Sequence, residues 1–191
     1  MSDIFQILIK SAIVDNVVFI QYLAICPFIG MTSETDKAFG MGVATSFVIL
    51  LATAVTWPIY KLIMIPLHLE FLQTLIFILV IASLVQLVEF FLKKSIPSLY
   101  KSMGVYLALI TTNCAVLGVT INCISKNYNY GQSLVYALGS AIGFIISMVV
   151  MSGVRSRLKT AKVPKAFQGT PILYVAASLL SLAFLGFKGL I

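Results

Sequence analysis

Charge is what this sequence has least of. Only 6 of its 191 residues are Asp or Glu and 13 are Lys or Arg, against a hydrophobic share of 60% and a mean hydropathy of +1.06. A soluble domain carries about 25% charged residues, and a chain with 10% cannot cover the surface of a globule. Histidine occurs once, at His68. No Gly-rich phosphate loop, no nucleophile–His–acid set and no His-rich metal motif is present, so nucleotide chemistry cannot be located here and no catalytic residue is assigned. The chain starts Met1-Ser2-Asp3, without a basic lead, and no Ala-x-Ala site follows a short apolar stretch. The first apolar run therefore reads as a retained helix rather than a secretory signal. The residues behind the net charge of +7 are scattered between apolar runs. They read as topology charges and not as a nucleic-acid surface.

What the chain has in abundance is long apolar runs: roughly 4–31, 40–60, 71–92, 103–124, 132–154 and 171–190. A helical span needs about 20 apolar residues to cross a hydrocarbon core about 30 Å thick. Six such spans with short connectors use up the chain, which predicts one all-α membrane domain over 1–191. Lysine and arginine orient it. The odd-numbered connectors hold Lys37; Lys93, Lys94 and Lys101; and Arg155, Arg157, Lys159, Lys162 and Lys165. The even ones hold only Lys61 and Lys126, and the end segments Lys10 and Lys188. The odd connectors are expected in the cytoplasm and both termini on the outer face.

The chain repeats itself. Cys26-Pro27-Phe28-Ile29-Gly30-Met31-Thr32 is echoed by Cys114-Ala115-Val116-Leu117-Gly118-Val119-Thr120, with Cys, Gly and Thr identical. A glycine-spaced helix follows each copy (Gly40 and Gly42; Gly139 and Gly143), then another apolar span. Repeat one is about 1–95 and repeat two about 96–191. Three spans is an odd number, so the halves enter the bilayer from opposite faces, the inverted-repeat architecture known in transporters. The run from Ile4 to Met31 is too long for one straight span: 28 residues at 1.5 Å each make about 42 Å. Pro27 removes an amide donor and Gly30 relaxes the backbone, which predicts a break near Cys26. Irregular backbone at membrane depth is tolerated when buried in protein or lining a cavity, so Cys26 and Cys114 are expected at broken-helix ends, inside the protein.

A lone membrane cysteine is usually a small apolar filler. Cys123 maps onto Thr35, has no repeat partner and keeps that reading. Cys26 and Cys114 are paired by the repeat. A disulfide there has no obvious oxidant, whereas a 2Fe–2S cluster typically takes four thiolates. With two thiols and no flanking histidine, either two ligands come from another subunit or there is no cluster. Asp15 and Asn16, inside the first run, read equally as functional groups or as caps of a broken helix. Gln86 and Glu89 share a face near the end of the third span and read as interfacial, and His68 reads as a solvated loop residue. The glycine pairs are expected to permit close helix packing.

The motifs Leu23-Ala24-Ile25-Cys26-Pro27-Phe28-Ile29-Gly30 and Leu109-Ile110-Thr111-Thr112-Asn113-Cys114-Ala115-Val116-Leu117-Gly118 resemble the two signatures of the A-type subunits of Rnf complexes. Those subunits are similar to the E-type subunits of the sodium-pumping NADH:quinone reductase, Nqr. Phe39-Gly40-Met41-Gly42, Phe77-Ile78-Leu79-Val80-Ile81-Ala82 and Ser181-Leu182-Ala183-Phe184-Leu185-Gly186-Phe187 extend the resemblance over essentially the whole chain. The short connector between the second and third spans and the Cys-Pro-Phe sequence look closer to Rnf. One position departs: Asp15 stands where the family pattern has Asn. The resemblance implies a component of an ion-translocating ferredoxin:NAD oxidoreductase in a bacterial or archaeal cytoplasmic (inner) membrane. It implies a homologous partner of opposite topology, the E-type Rnf subunit, beside the B-, C-, D- and G-type subunits, with flavins in other subunits. It implies a 2Fe–2S cluster with two cysteines from each partner, here Cys26 and Cys114, its redox state coupled to Na⁺ or H⁺ movement. The competing readings are a small inverted-repeat secondary transporter, with Asp15, Asn16, Thr32 and Thr120 lining a substrate site, the equivalent Nqr subunit, and a structural subunit with an inert disulfide.

Overall fold

The computed structural model describes residues 2–67, 70–95, 109–110, 112–161, 163–164 and 167–189. His68, Lys101, Lys162, Lys165 and most of the first half of the fourth apolar run lie outside the described residues. Every regular element among them is helical. Helix α1 (Ser2–Ile9) ends in a π turn, Lys10–Val14, and a non-helical stretch leads to α2 (Ile25–Gly30). Then follow α3 (Thr35–Ile59), extended by a π turn Tyr60–Met64; α4 (Gln73–Ser95); α5 (Cys114–Ser125); α6 (Tyr130–Leu158); and α7 (Thr170–Leu185). Among the described residues, three helical stretches are long and apolar enough to cross a membrane: Thr35–Met64, Gln73–Phe90 and Tyr130–Leu158. Ile4–Val14, Cys114–Ser125 and Thr170–Leu185 are apolar but shorter. The first is short because its run is broken before α2.

The centre of the bundle is α3 packed antiparallel on α6 along nearly their whole lengths. Thr35 Oγ1 lies 3.1 Å from Ser152 Oγ, and Ser46 Oγ donates to the Ala141 carbonyl at 3.3 Å. Between them, a Cβ added to Gly42 would lie 3.1 Å from Ile145 Cγ1. At the far end Trp57 Nε1 donates to the Tyr128 carbonyl at 3.0 Å, and its ring meets Tyr130 edge-on at 5.3 Å. All these contacts keep one antiparallel register, with steps near whole helical turns, so a single seam carries the crossing, with small residues (Thr35, Gly42, Ser46, Ala141, Ser152) along most of it and aromatic ones at the far end.

Helix α1 runs alongside α6 on another face. A Cβ on Gly139 would collide with Ser11 Oγ and come within 2.7 Å of the Leu8 carbonyl, and one on Gly143 would lie 2.6 Å from the Ala12 carbonyl. Gly42, Gly139 and Gly143 thus serve as packing glycines, as expected. Gly40 does not: nothing lies within 4 Å of its added Cβ, because it sits on the outward face of α3. The outer surface is apolar, with Leu62, Leu75, Leu79, Leu87, Phe90, Leu179 and Leu182 exposed, as a helix surface facing lipid must be.

Candidate functional site

The first apolar run breaks earlier than Pro27 and for a different reason. The π turn ends in a hydrogen bond from the Asp15 amide to the Lys10 carbonyl at 2.7 Å, and the helical ladder stops there. The Asn16 side chain takes over. Its Oδ1 accepts from the Val18 and Phe19 amides at 3.0 and 3.3 Å, so it satisfies donors that a continuing helix would have bonded. Its Nδ2 donates to the Ala12 and Gly143 carbonyls at 3.2 and 3.0 Å, and Ser147 Oγ donates to Oδ1 at 3.1 Å. Asn16 is completely buried, and of the two readings for it, the cap is the one observed. Pro27 sits in the first turn of α2, where a missing amide costs little, and Gly30 ends that helix. The corrected break is therefore 15–24, with Tyr22 and Ala24 in left-handed conformations at φ 54° and 61°.

The second break needs no proline either. Asn113 is the N-cap of α5, and its side chain accepts from the Ala115 amide at 3.0 Å. Cys26 is the second residue of α2 and Cys114 the first of α5. Both thiols are at broken-helix ends, as expected. Neither is inside the protein: Cys26 and Cys114 are both free and exposed on this chain. The correction has a physical cause, since the positions flanking each cysteine, Pro27, Asn113 and Ala115, turn inward and leave the thiols on the outer side.

The first break lies against helix α5, which the second break opens. Gln21 Oε1 accepts from Asn122 Nδ2 at 2.9 Å, and a Cβ on Gly118 would run into the end of the Leu23 side chain. Gln21 and Leu23 thus pair with Asn122 and Gly118 in antiparallel order, and both rows lead toward the cysteines. Helix α7 closes the other side: Ser181 Oγ donates to the Phe19 carbonyl, Phe184 stacks on Phe19 at 4.4 Å, and Phe28 meets Phe19 edge-on at 5.7 Å.

Asp15 is engaged as well. Lys126 Nζ donates to its carboxylate at 2.8 Å and lies 4.7 Å from the centre of the Tyr136 ring. Burial works against the Lys126 charge, but the Asp15 hydrogen bond, helped by Tyr136 and Tyr128, outweighs it and raises the ammonium above its ordinary range. A raised lysine contributes fully below its unfolded value and loses that contribution only as the pH climbs through the folded one. Lys126 thus keeps its charge at every physiological pH.

At the opposite end of the bundle, Arg155 Nη1 donates to the Ile29 carbonyl at 2.7 Å and to Thr32 Oγ1 at 3.3 Å, so a cation closes the C-terminus of α2. Thr32, just past the end of α2, donates to the Phe28 carbonyl, and Thr120 to the Leu117 carbonyl within α5. Gln86 is exposed and Glu89 half-buried, in keeping with interfacial positions. Asn113, the bonding role of Arg155 and the Gln21–Asn122 pair escape a reading of the sequence. For Asn113 a signal exists, an Asn directly before an apolar helical run; for the others the partners are over a hundred residues apart.

Cys123 is a filler, 1% exposed, with its Sγ 3.8 Å from the Ser133 carbonyl. Cys123→Ala is expected to leave assembly unchanged and to cost on the order of 1 kcal/mol, read as a small drop in thermal midpoint. Loss of any iron–sulfur signal in that variant would show that the wrong cysteines are assigned here.

An all-helical bundle with an apolar exterior, interrupted twice and carrying a thiol at each interruption, defines a helical membrane protein built around paired cysteine motifs. The chain belongs to the Rnf-Nqr family: residues 4–191 match its model, described as "Rnf-Nqr subunit, membrane protein". It is 48% identical over 191 residues to the A-type subunit of the ion-translocating oxidoreductase complex of Syntrophotalea carbinolica, covering 100% of this chain and 99% of that one. It is 50% identical over 184 residues to the A-type subunit of the Na(+)-translocating ferredoxin:NAD(+) oxidoreductase complex of Acetobacterium woodii, covering 96% of each. The corresponding subunit of Rhodobacter capsulatus is 47% identical over 191 residues, covering 100% of this chain and 99% of that one. The relatives are thus named as subunits of ion-translocating oxidoreductase complexes.

Proposed function

We propose that this chain is the membrane component of an ion-translocating ferredoxin:NAD oxidoreductase that supplies Cys26 and Cys114 as half the ligands of a 2Fe–2S cluster, the other half coming from a homologous subunit of opposite topology. The observation that carries the reading is the exposure of both thiols at helix breaks whose flanking segments run antiparallel and in contact. Among the described residues no three metal-binding side chains converge, which suits a half-site. The donor set fits: Asn113 Nδ2, one residue before Cys114, is buried without a partner among the described residues, a donor of the kind that iron–sulfur sulfurs accept. When bound, such a cluster supplies one-electron transfer within the membrane, between flavin- and iron–sulfur-bearing subunits. This chain's part is to hold two ligands rigidly and to exclude water with the apolar packing of Phe19, Phe28 and Phe184.

The antiparallel α3/α6 seam supports the inverted-repeat reading, since α3 and α6 are the second helices of the two halves. The six-span count and the termini on the outer face belong to the same proposal. Residues 33–37 and 155–161, at one end of the bundle, would face the cytoplasm, with Lys61 and Lys126 at the other. The transporter reading needs free polar groups facing a substrate. Asn16, Thr32 and Thr120 instead bond this chain's own backbone, and Asp15 bonds Lys126. The coupled ion is Na⁺ or H⁺; the Acetobacterium woodii relative is named for Na⁺.

Iron analysis with an EPR spectrum of the reduced, purified complex tests the cluster. A 2Fe–2S signal whose iron exceeds that of the soluble centres is expected, and an iron count that the other subunits fully explain would end the proposal. Orientation is tested separately. A reporter fused after Ile191 is expected to behave as extracytoplasmic, and cytoplasmic activity there in the assembled complex would overturn the topology.

A further inference from the structure

Arg155 and Lys159 lie one turn apart on the last turns of α6, and both hold carbonyls rather than carboxylates. Arg155 bonds Ile29, and Lys159 Nζ bonds the Ser33 carbonyl at 3.2 Å. Neither has an ion-pair partner among the described residues, and the nearby Glu34 is already engaged by Lys37 at 3.1 Å. Hydrogen bonds to neutral carbonyls position a cation without cancelling its charge. Beside the pair lies an open cavity of about 630 Å³, bordered by the end of α2, the end of α6 and the start of α7. Its polar side is Arg155, Lys159, Gln168 and Thr170, and among the described residues no acidic side chain lines it. Its apolar side includes Ile172 and Leu173 of α7. The N-cap of helix α7 is Gly169, whose lack of a side chain leaves the first-turn amides of Thr170 and Ile172 without a side-chain acceptor, Pro171 between them having no amide hydrogen, and a helix N-terminus favours negative charge.

We propose that this cavity binds the headgroup of an anionic phospholipid, with the phosphate between Arg155, Lys159 and the start of α7 and the acyl chains against α7. Charge complementarity names the phosphate, and continuity with the apolar exterior of α7, where Tyr174, Leu179 and Leu182 are exposed, names the lipid over a free anion. Basic pockets between helices at a cytoplasmic membrane face bind such headgroups. A lipid seated there would also brace the Arg155 contact that ends α2, the helix carrying Cys26.

The test is native mass spectrometry of the intact complex exchanged into equal amounts of phosphatidylglycerol and phosphatidylcholine. Wild type is expected to retain phosphatidylglycerol preferentially, and both Lys159→Gln and Arg155→Gln to lose about tenfold in its apparent affinity, the worth of one charge-assisted contact. Lys159 is exposed, so its variant carries the test even if Arg155→Gln fails to assemble. Arg157→Ala, a change of one charge outside the cavity lining, is expected to match wild type. Equal losses in the Arg157 variant would reduce the effect to a diffuse basic surface. Displacement of the lipid by inorganic phosphate would reassign the cavity to a free anion. No preference between the two lipids in wild type would mean that protein from another subunit fills the space. Each of these three results overturns the proposal.

Discussion

Replacing Cys26 or Cys114 by serine is expected to abolish the shared 2Fe–2S signal of the assembled complex and to reduce ferredoxin-linked NAD reduction to background. Thiolates in a low-dielectric interior carry a desolvation penalty that metal coordination offsets. On the shared-cluster proposal one of four ligands would be gone and three would remain, and serine is a poor replacement for a soft sulfur ligand. The helices themselves should insert normally, because both thiols face outward and take no part in the packing of this chain. Expressed without its homologous partner, the chain should hold no stable cluster. Mössbauer or EPR spectra of both variants decide the matter, and an intact signal in each would remove the shared-cluster proposal and return the transporter reading to first place.

Asn16→Ala is expected to be the most damaging substitution outside the cysteines, at about 2–4 kcal/mol for a buried polar hub whose partners are left unpaired. The amides of Val18 and Phe19 would lose their acceptor, and the carbonyl of Gly143 the donor that joins the first helix to α6. Ser147→Ala should cost much less, about 1 kcal/mol, since that hydroxyl also bonds its own helix at Gly143. Thermal unfolding of the purified complexes separates the two. An Asn16→Ala complex as stable as wild type would mean that the break is held by the aromatic packing of Phe19 alone.

Much of this is legible in the order of residues alone. The helical membrane class follows from composition, and the thiols at helix starts follow from the repeat of Cys-x-x-x-Gly-x-Thr. What escapes is whatever depends on contacts between distant segments. Pro27 looks like the breaker because proline disrupts a helix locally, yet the decisive group is Asn16, whose partners Gly143 and Ser147 are far along the chain. The inward placement of Cys26 and Cys114 is expected from the cost of irregular backbone in lipid. That cost is met here for the backbone, through Asn16, Asn113 and α7, without enclosing the sulfurs. Which face of a short helix start turns outward leaves no mark on the chain's hydropathy, so the exposure of the thiols can be seen only in three dimensions.

Tyr22 and Ala24 hold left-handed backbones just before Cys26, where glycine would sit without steric cost and each L-residue loses roughly 1–2 kcal/mol. A glycine there would also widen the range of directions in which the chain could leave the turn. The side chains narrow that range, so the segment leading into α2 has few ways to swing. Electron tunnelling decays steeply with distance, and a ligand that wandered by an ångström would spread its transfer rates widely. If Cys26 holds a cluster as proposed, the two unfavourable torsions would trade folding stability for a sulfur delivered along one direction, and would keep the tempo of the redox step uniform from one molecule to the next.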